Sequence, residues 1–559
     1  MSSKAPIELS PVELGSRDAS PHFDGSRENT LVVDDDAKLA QLGYKQEFVR
    51  EFTSISTFSF AFSIMGVLAS ITSTFIYPLM SGGPAAVVWC WFAGSIFAFC
   101  LACSVAELVS AYPTSGGLYY TTKHLVPKKY VPVVAWCTGW LNLLGQTAGV
   151  ASTDFALAQM ILAGATMGSK YDAETGLFAY TPTNNHTVGV YVAIICFHGL
   201  WNSLPTKWFA SITKYFAFIN IAASIAVVAT LFAKQDTLHS PSYVFGHVEN
   251  NSGWSSTGFS FILGFLSVAW TMTDYDATAH IAEETHKAAI RAPVAIVSAV
   301  TGTFIVGLLL NITFAFTMGD PTLLTSSQTG MPISQLLYNV VGRKGALAIW
   351  PFIILVQNFT AVTALSATAR TAFALARDQA LPWSSQWAKM NKTVKIPLNA
   401  VWLIVVCCIL LGLIALGSTE AIFAIFSLTS IAMDCSYIIP ISARLIWGEQ
   451  LGYTPGPFNL GFAGKVMSVI SIVWVLFIST VLCFPTYMPV TPQNMNYAVV
   501  VLTGVALFSV FWWYVDAHKW YVGPRDNLEE AEAEALDYKQ TPEIAEVRAA
   551  LHVDDNSHR

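Results

Sequence analysis

Long apolar runs separated by short polar links dominate the chain. A helix needs roughly 20 apolar residues to cross the hydrocarbon core of a bilayer. Twelve runs meet that measure, near 58–78, 85–112, 131–163, 188–204, 208–232, 258–281, 294–318, 346–376, 398–416, 421–446, 466–485 and 497–515. Helices are the required form, because open strands leave backbone groups unpaired in lipid. The predicted fold class is all-α integral membrane, with a transmembrane body at 53–517 between two tails, 1–52 and 518–559. The first tail is polar, contains Asp34-Asp35-Asp36, and lacks the basic start and apolar core of a cleavable signal. It reads as largely disordered. The last tail carries an acidic run at 529–534 that reads as a solvated helix.

Twelve crossings put both ends on one side. With the ends in the cytoplasm, the inner links hold fourteen Lys or Arg residues and the outer links only Lys170, Lys234, Arg343 and Lys344. That bias fits cytoplasmic termini. The glycosylation sequons at Asn185 and Asn250 both fall in predicted outer links, and the one at Asn391 falls inside. The expected location is the plasma membrane ahead of the vacuolar membrane.

Composition narrows the function. Charged residues make up 12% of the 559 and hydrophobic ones 54%, against about 25% charged in a soluble protein. A net charge of −7 offers no basic face for nucleic acid. The nine cysteines lie in apolar stretches without paired spacing and read as packing residues, so no metal and no cofactor is expected. No G-x-x-x-x-G-K-[ST] loop supports an ATP-driven pump, and no constellation supports an enzyme.

Ionisable groups inside a span cost about 2.5–3.5 kcal/mol on insertion scales and need a reason. The densest cluster is Trp270-Thr271-Met272-Thr273-Asp274-Tyr275-Asp276-Ala277-Thr278 in the sixth run. Two carboxylates and three threonine hydroxyls in nine residues favour a broken helix lining a wet cavity; the plainer reading puts this stretch nearer the interface. In the first run Ser63, Gly66, Ser70, Thr72, Ser73 and Thr74 fit either close helix packing or a break whose N–H groups bind an anion. Asp154 and Asp434 are lone carboxylates, each a pathway residue or an interhelical partner. Gln146, Gln357 and Asn358 read as interhelical glue, and Lys214 as a residue that snorkels to the inner surface.

Several motifs carry a resemblance. Glu107-Leu108 followed by Tyr112-Pro113-Thr114-Ser115-Gly116-Gly117-Leu118-Tyr119-Tyr120, then His280-Ile281-Ala282-Glu283-Glu284 with Arg291-Ala292-Pro293, then 369–382 appear in order. This set resembles the amino acid–polyamine–organocation (APC) superfamily. The segments 42–52 and 495–497 resemble its fungal amino acid/choline transporter subfamily, which includes GABA permeases. The resemblance implies helices 1–5 and 6–10 as a 5+5 inverted repeat, two peripheral helices, and breaks in helices 1 and 6. By motif it implies substrate contacts at Ser63, Gly66 and Ser70, with Gly66 the break, and at Trp270, Thr271, Thr273, Asp274 and Tyr275. Asp274 stands where many members have Gly. Asp274, Asp276 and Lys214 are the candidates for proton coupling.

The resulting expectation is a secondary transporter of GABA or a related amino acid, coupled to protons and working by alternating access, with substrate, proton and membrane lipid as its partners. One charge moving inward gains about 2.3 kcal/mol per 100 mV. A choline, thiamine or polyamine permease of the same fold is the alternative, since Trp270 and Tyr275 could cage a quaternary amine. A nutrient sensor on the transporter fold is the alternative of another class.

Overall fold

A computed structural model of the chain describes residues 47–525, apart from 173, 176, 417–422 and 493, together with Asp35, Leu39, Leu42 and Tyr44. The acidic run at 529–534 and most of both tails lie outside the described residues.

The first apolar run forms two helices, α1 (Ser54–Met65) and α2 (Val67–Thr74). Thr53 and Ser56 cap α1 reciprocally, Thr53 N donating to Ser56 Oγ at 2.8 Å and Ser56 N to Thr53 Oγ1 at 3.5 Å. In α3 (Ile76–Ala111), Gly82 and Gly83 leave helical geometry and Pro84 opens the next turn, which separates the first two crossings. There follow α4 (Gly117–Leu125), α5 (Val131–Gly168), α6 (Asn184–Trp201), α7 (Thr206–Thr213) and α8 (Phe216–Lys234). The sixth run is in pieces: α9 (Thr257–Leu263), α10 (Leu266–Thr271) and α11 (Ala277–His280). The remainder is α12 (Ala288–Thr317), α13 (Pro332–Arg377, kinked at Gly342), α14 (Leu398–Gly412), α15 (Phe423–Trp447), α16 (Phe462–Val481) and α17 (Ala498–Val515). Short helices fill some links, and Tyr171–Asp172 pairs with Leu177–Phe178 in a small antiparallel hairpin.

Among the described residues ten helical segments are long and apolar enough to cross a membrane, counting α1 with α2 and α7 with α8. They correspond to ten of the twelve expected crossings. The other two positions are held by α6 and by the broken sixth run, whose apolar part is the short stretch Thr257–Thr271.

Packing separates core from rim. α5 runs along both α13 and α15, and α3 runs along α12. Small residues permit the approach: a Cβ on Gly145 of α5 would lie 2.4 Å from Met433 Cγ of α15. α17 and α16 keep most of their apolar surface exposed, with Phe462, Leu507, Phe511 and Tyr514 open. Uncovered apolar area on this scale suits lipid and not water.

Leu39, Tyr44, Phe48 and Phe52 are buried, so these described residues of the first tail pack against the body. Phe52 N and Glu51 N both donate to Glu284 O at 3.0 Å. Arg525, near the other end of the described chain, donates its N–H to Asp378 Oδ1 at 3.4 Å, and Tyr44 OH reaches the same carboxyl at 3.3 Å. Tyr44 and Arg525, near the two ends of the described residues, therefore meet on one face, here named the terminal face.

Candidate functional site

The first helix breaks at Gly66, which takes φ 47° and ψ 47° between α1 and α2. Thr360 of α13 closes on the break and donates its Oγ1 to Ser63 O at 2.8 Å. A Cβ on Gly66 would stand 1.9 Å from that Oγ1, so only glycine fits. The break leaves α2 with a free N-terminus, whose first N–H groups have no carbonyl of their own helix to bond. Thr72, Ser73 and Thr74 turn their hydroxyls back to carbonyls one turn earlier, and Ser70 Oγ donates to Met65 O at 2.8 Å.

The sixth run breaks between Thr271 and Ala277. Asp274, within this gap, has φ 59°, a left-handed conformation that costs a residue with a Cβ about 1–2 kcal/mol. Its Oδ1 accepts from Gln146 Nε2 of α5 at 3.4 Å.

Between the two breaks lies a small cavity. Ile64, Met65 and Ser70 line it from the first helix, and Trp270, Thr271, Thr273 and Asp274 from the sixth. α5 contributes Gly149 and Thr153, α13 Thr360 and Ala364, and α15 Thr429. Of the residues expected from sequence, Ser70, Trp270, Thr271, Thr273 and Asp274 meet here. Ser63 and Gly66 shape the break without lining the cavity. Tyr275 does not line it either: its ring is fully buried, with its centroid 5.6 Å from that of Tyr437.

Asp276 is also held elsewhere. Its Oδ1 accepts from Tyr437 OH at 2.5 Å, its Oδ2 from Asn142 Nδ2 at 3.3 Å, and His280 Nε2 stands 3.4 Å from Oδ2. Lys214 is exposed at the end of α7, its ammonium 5.0 Å from the centre of the Tyr215 ring. The structure does not bring it to the cavity. Asn185 is exposed, whereas the Asn250 amide is tied into its own turn, donating to Trp254 O at 2.7 Å.

The two sides of the cavity are closed differently. Away from the terminal face, Trp270 packs on Phe426 with ring centroids 4.6 Å apart, and Trp270 Nε1 donates to Ser152 Oγ at 3.0 Å. Beyond this aromatic pair lies a second cavity lined by Tyr77, Ala424, Ser427, Thr486, Tyr487 and Asn496. Toward the terminal face the closure has several layers. His280 Nδ1 donates to Ser115 O at 2.9 Å, and Ser115 Oγ to Glu283 Oε1 at 2.6 Å. Glu283 pairs with Arg377 at 3.4 Å, and the Arg377 guanidinium lies 4.0 Å from the centre of the Tyr44 ring. Glu284 makes a two-pronged pair with Arg370, and Glu107 pairs with Arg444 at 2.7 Å.

Sequence reasoning missed Met65, Gly149, Thr153, Thr360 and Thr429. A signal existed for α5: Gln146, Gly149 and Thr153, spaced three and four apart, form one polar and small face of a helix. The motif residues Ser115, Glu283, Glu284, Arg370 and Arg377 build the terminal-face closure, a role that spacing alone did not reveal. Among the described residues no group of three or more His, Cys, Asp or Glu side chains could hold a metal ion.

Residues 52–506 match the family described as amino acid permease. An uncharacterized amino-acid permease of Schizosaccharomyces pombe is 52% identical over 497 residues, covering 89% of this chain and 90% of its own length. Amino-acid permease 2 of Neurospora crassa is 39% identical, over 88% and 89%. Amino-acid permease BAT1 of Arabidopsis thaliana is 32% identical, over 88% and 96%. The breaks at Gly66 and Asp274 thus sit in a chain whose relatives are transporters and not enzymes. The chain belongs to the amino acid permease family, within the APC superfamily, and is a multi-pass integral membrane transporter.

Proposed function

We propose that the protein imports GABA or a related amino acid together with a proton, by alternating access across the plasma membrane, with both termini in the cytoplasm. The observation that carries the reading is Asp274, a carboxylate held at φ 59° on the cavity wall, facing a break that exposes the N-terminus of α2. A helix N-terminus presents about half a positive charge and suits a substrate carboxylate. Asp274, with the unwound backbone beside it, suits the ammonium. The separation of these two features along one small cavity fits a zwitterion of amino-acid size. The same reading treats the body as twelve crossings in a 5+5 repeat, with the broken sixth run opening the second half and α16 and α17 as peripheral helices.

Proton coupling stays with Asp274 or the Asp276 network in this reading; Lys214, exposed at the end of α7, is dropped from it. The choline-type alternative loses support, because Tyr275 does not reach the cavity and leaves Trp270 without a second cage wall from the sixth helix. Uptake in a transporter-deficient cell, with labelled GABA, alanine, lysine, choline and a polyamine, tests the substrate. Transport of GABA or alanine that choline does not compete supports the reading, and uptake of choline alone overturns it. Uptake indifferent to both a protonophore and external pH overturns the coupling.

A further inference from the structure

The α5 wall of the cavity backs onto a second buried acid. Thr153 lines the cavity, and the next residue, Asp154, places Oδ1 2.7 Å from His198 Nδ1 of α6. Neither side chain has exposed surface. His198 Nε2 meets Asn358 Oδ1 of α13 at 3.0 Å. A carbonyl oxygen only accepts, so Nε2 carries a hydrogen. The neighbouring Gln357 donates Nε2 to Thr153 O at 3.0 Å, which ties the same corner to the cavity wall. Asp154 Oδ2 and Gln357 Oε1 are both buried acceptors without a partner. This corner is short of hydrogens.

With a hydrogen fixed on Nε2, the pair has two states. Carboxylate and neutral imidazole carry −1; one more proton, shared between Oδ1 and Nδ1, brings the pair to zero. The other titratable groups facing it are Tyr191 of α6, whose hydroxyl donates to Cys408 O at 2.5 Å, and Cys408 of α14. α13 brings the amides of Asn358 and Gln357. α15 meets the neighbouring turns of α5 through Thr429 and Met433, and α2 carries no ionisable side chain. No lysine or arginine therefore meets the carboxylate from these helices, and an imidazole in direct contact suits a proton better than an alkali cation, which binds through oxygens.

We propose that Asp154 and His198 hold the coupling proton on a site separate from the substrate cavity and one residue behind its wall. The inference rests on the proton-coupled reading above and moves the proton away from Asp274 and Asp276. The proton enters from one compartment, neutralises the pair at the junction of α5, α6 and α13, and leaves to the other. Thr153 and its bond from Gln357 connect that change of charge to the substrate, so each ligand favours binding of the other.

The test uses the purified full-length chain in liposomes, with labelled GABA and labelled alanine as probes. Asp154→Asn keeps the shape and can still bond the imidazole; His198→Gln removes the titrating ring. Both variants should lose accumulation driven by a pH gradient by about tenfold or more, the scale of a typical coupling free energy. They should also lose its dependence on external pH, while exchange at equal pH stays near the wild-type rate. Variants that accumulate with the wild-type pH profile overturn the assignment alone. So do folded variants that lose exchange as fully as accumulation, which is what a mere packing staple would give. A wild type that ignores the gradient with either probe sinks the coupling reading, and this assignment with it.

Discussion

Asp274 and Gly66 occupy similar backbone conformations with opposite chemistry. Gly66 takes φ 47° where a Cβ would strike Thr360; Asp274 takes φ 59° although glycine would relax there. Strain held by a side chain that lines a cavity points to use of that side chain. Asp274→Gly should therefore leave the unfolding midpoint unchanged or raised, since about 1 kcal/mol of strain is removed, while uptake falls by about tenfold or more through lost ligand contact. Parallel thermal melts and uptake assays check both halves, and a variant that transports normally would refute the role. Gly66→Ala should fail in the other direction. Overpacking costs about 1–3 kcal/mol and the left-handed conformation adds to it, so the folded yield in detergent should drop together with transport.

At the scale of elements, ion pairs close the terminal face where helices end. Glu284 follows α11 in a short 3-10 turn and reaches Arg370 near the end of α13. Both are buried, and removal of one charge strands the other at a cost of about 3–5 kcal/mol. Glu284→Gln should lower the unfolding midpoint markedly, and the double variant Glu284→Leu with Arg370→Leu should recover part of the loss. A midpoint unmoved by Glu284→Gln would refute the pairing. This is also the scale at which the sequence was most legible. Apolar runs located the helices, and the polar cluster at 270–278 located the break in the sixth. The runs did not separate Asp274 from Asp276, because adjacent stretches of an unwound segment can turn side chains to opposite sides. One lines the cavity and the other bonds Tyr437 and Asn142. Thr360 and Thr429 were invisible for a different reason: each is one of several hydroxyls along its helix, and only the meeting of the helices around the cavity singles it out. The burial of Tyr44 and Phe48 was hidden by the polar residues around them, which make the segment look like a tail on average composition.

For the whole molecule, Tyr44 from the first tail and Arg525 from the last act on the same carboxyl. Burial pushes Asp378, just past the end of α13, up to about 6, with Arg377 opposing the shift. A carboxyl freed to water returns to about 3.9, so the docked state holds its proton more tightly than the released one. Docking of the tails is then strongest at acid pH and weakens as pH rises from about 4 through about 6, by roughly 2–3 kcal/mol in all. Spin labels at Leu42 and Lys123 should report a longer, broader distance at neutral than at acid pH. Asp378→Asn should flatten that dependence, and a distance insensitive to pH in the wild type would refute it. The closures on the two sides of the cavity differ in depth. One aromatic pair, Trp270 with Phe426, stands on one side; on the other, the Ser115–Glu283–Arg377 chain is backed by both tails. Thermal motion swings a thin door far more often than a bolted one, so the idle protein should spend its time open toward the solution it samples. A membrane-impermeant thiol reagent on that side should modify Thr429→Cys, on the cavity wall behind the aromatic pair, readily in the empty protein and slowly once substrate is bound. Equal rates would mean that the aromatic door does not swing with occupancy.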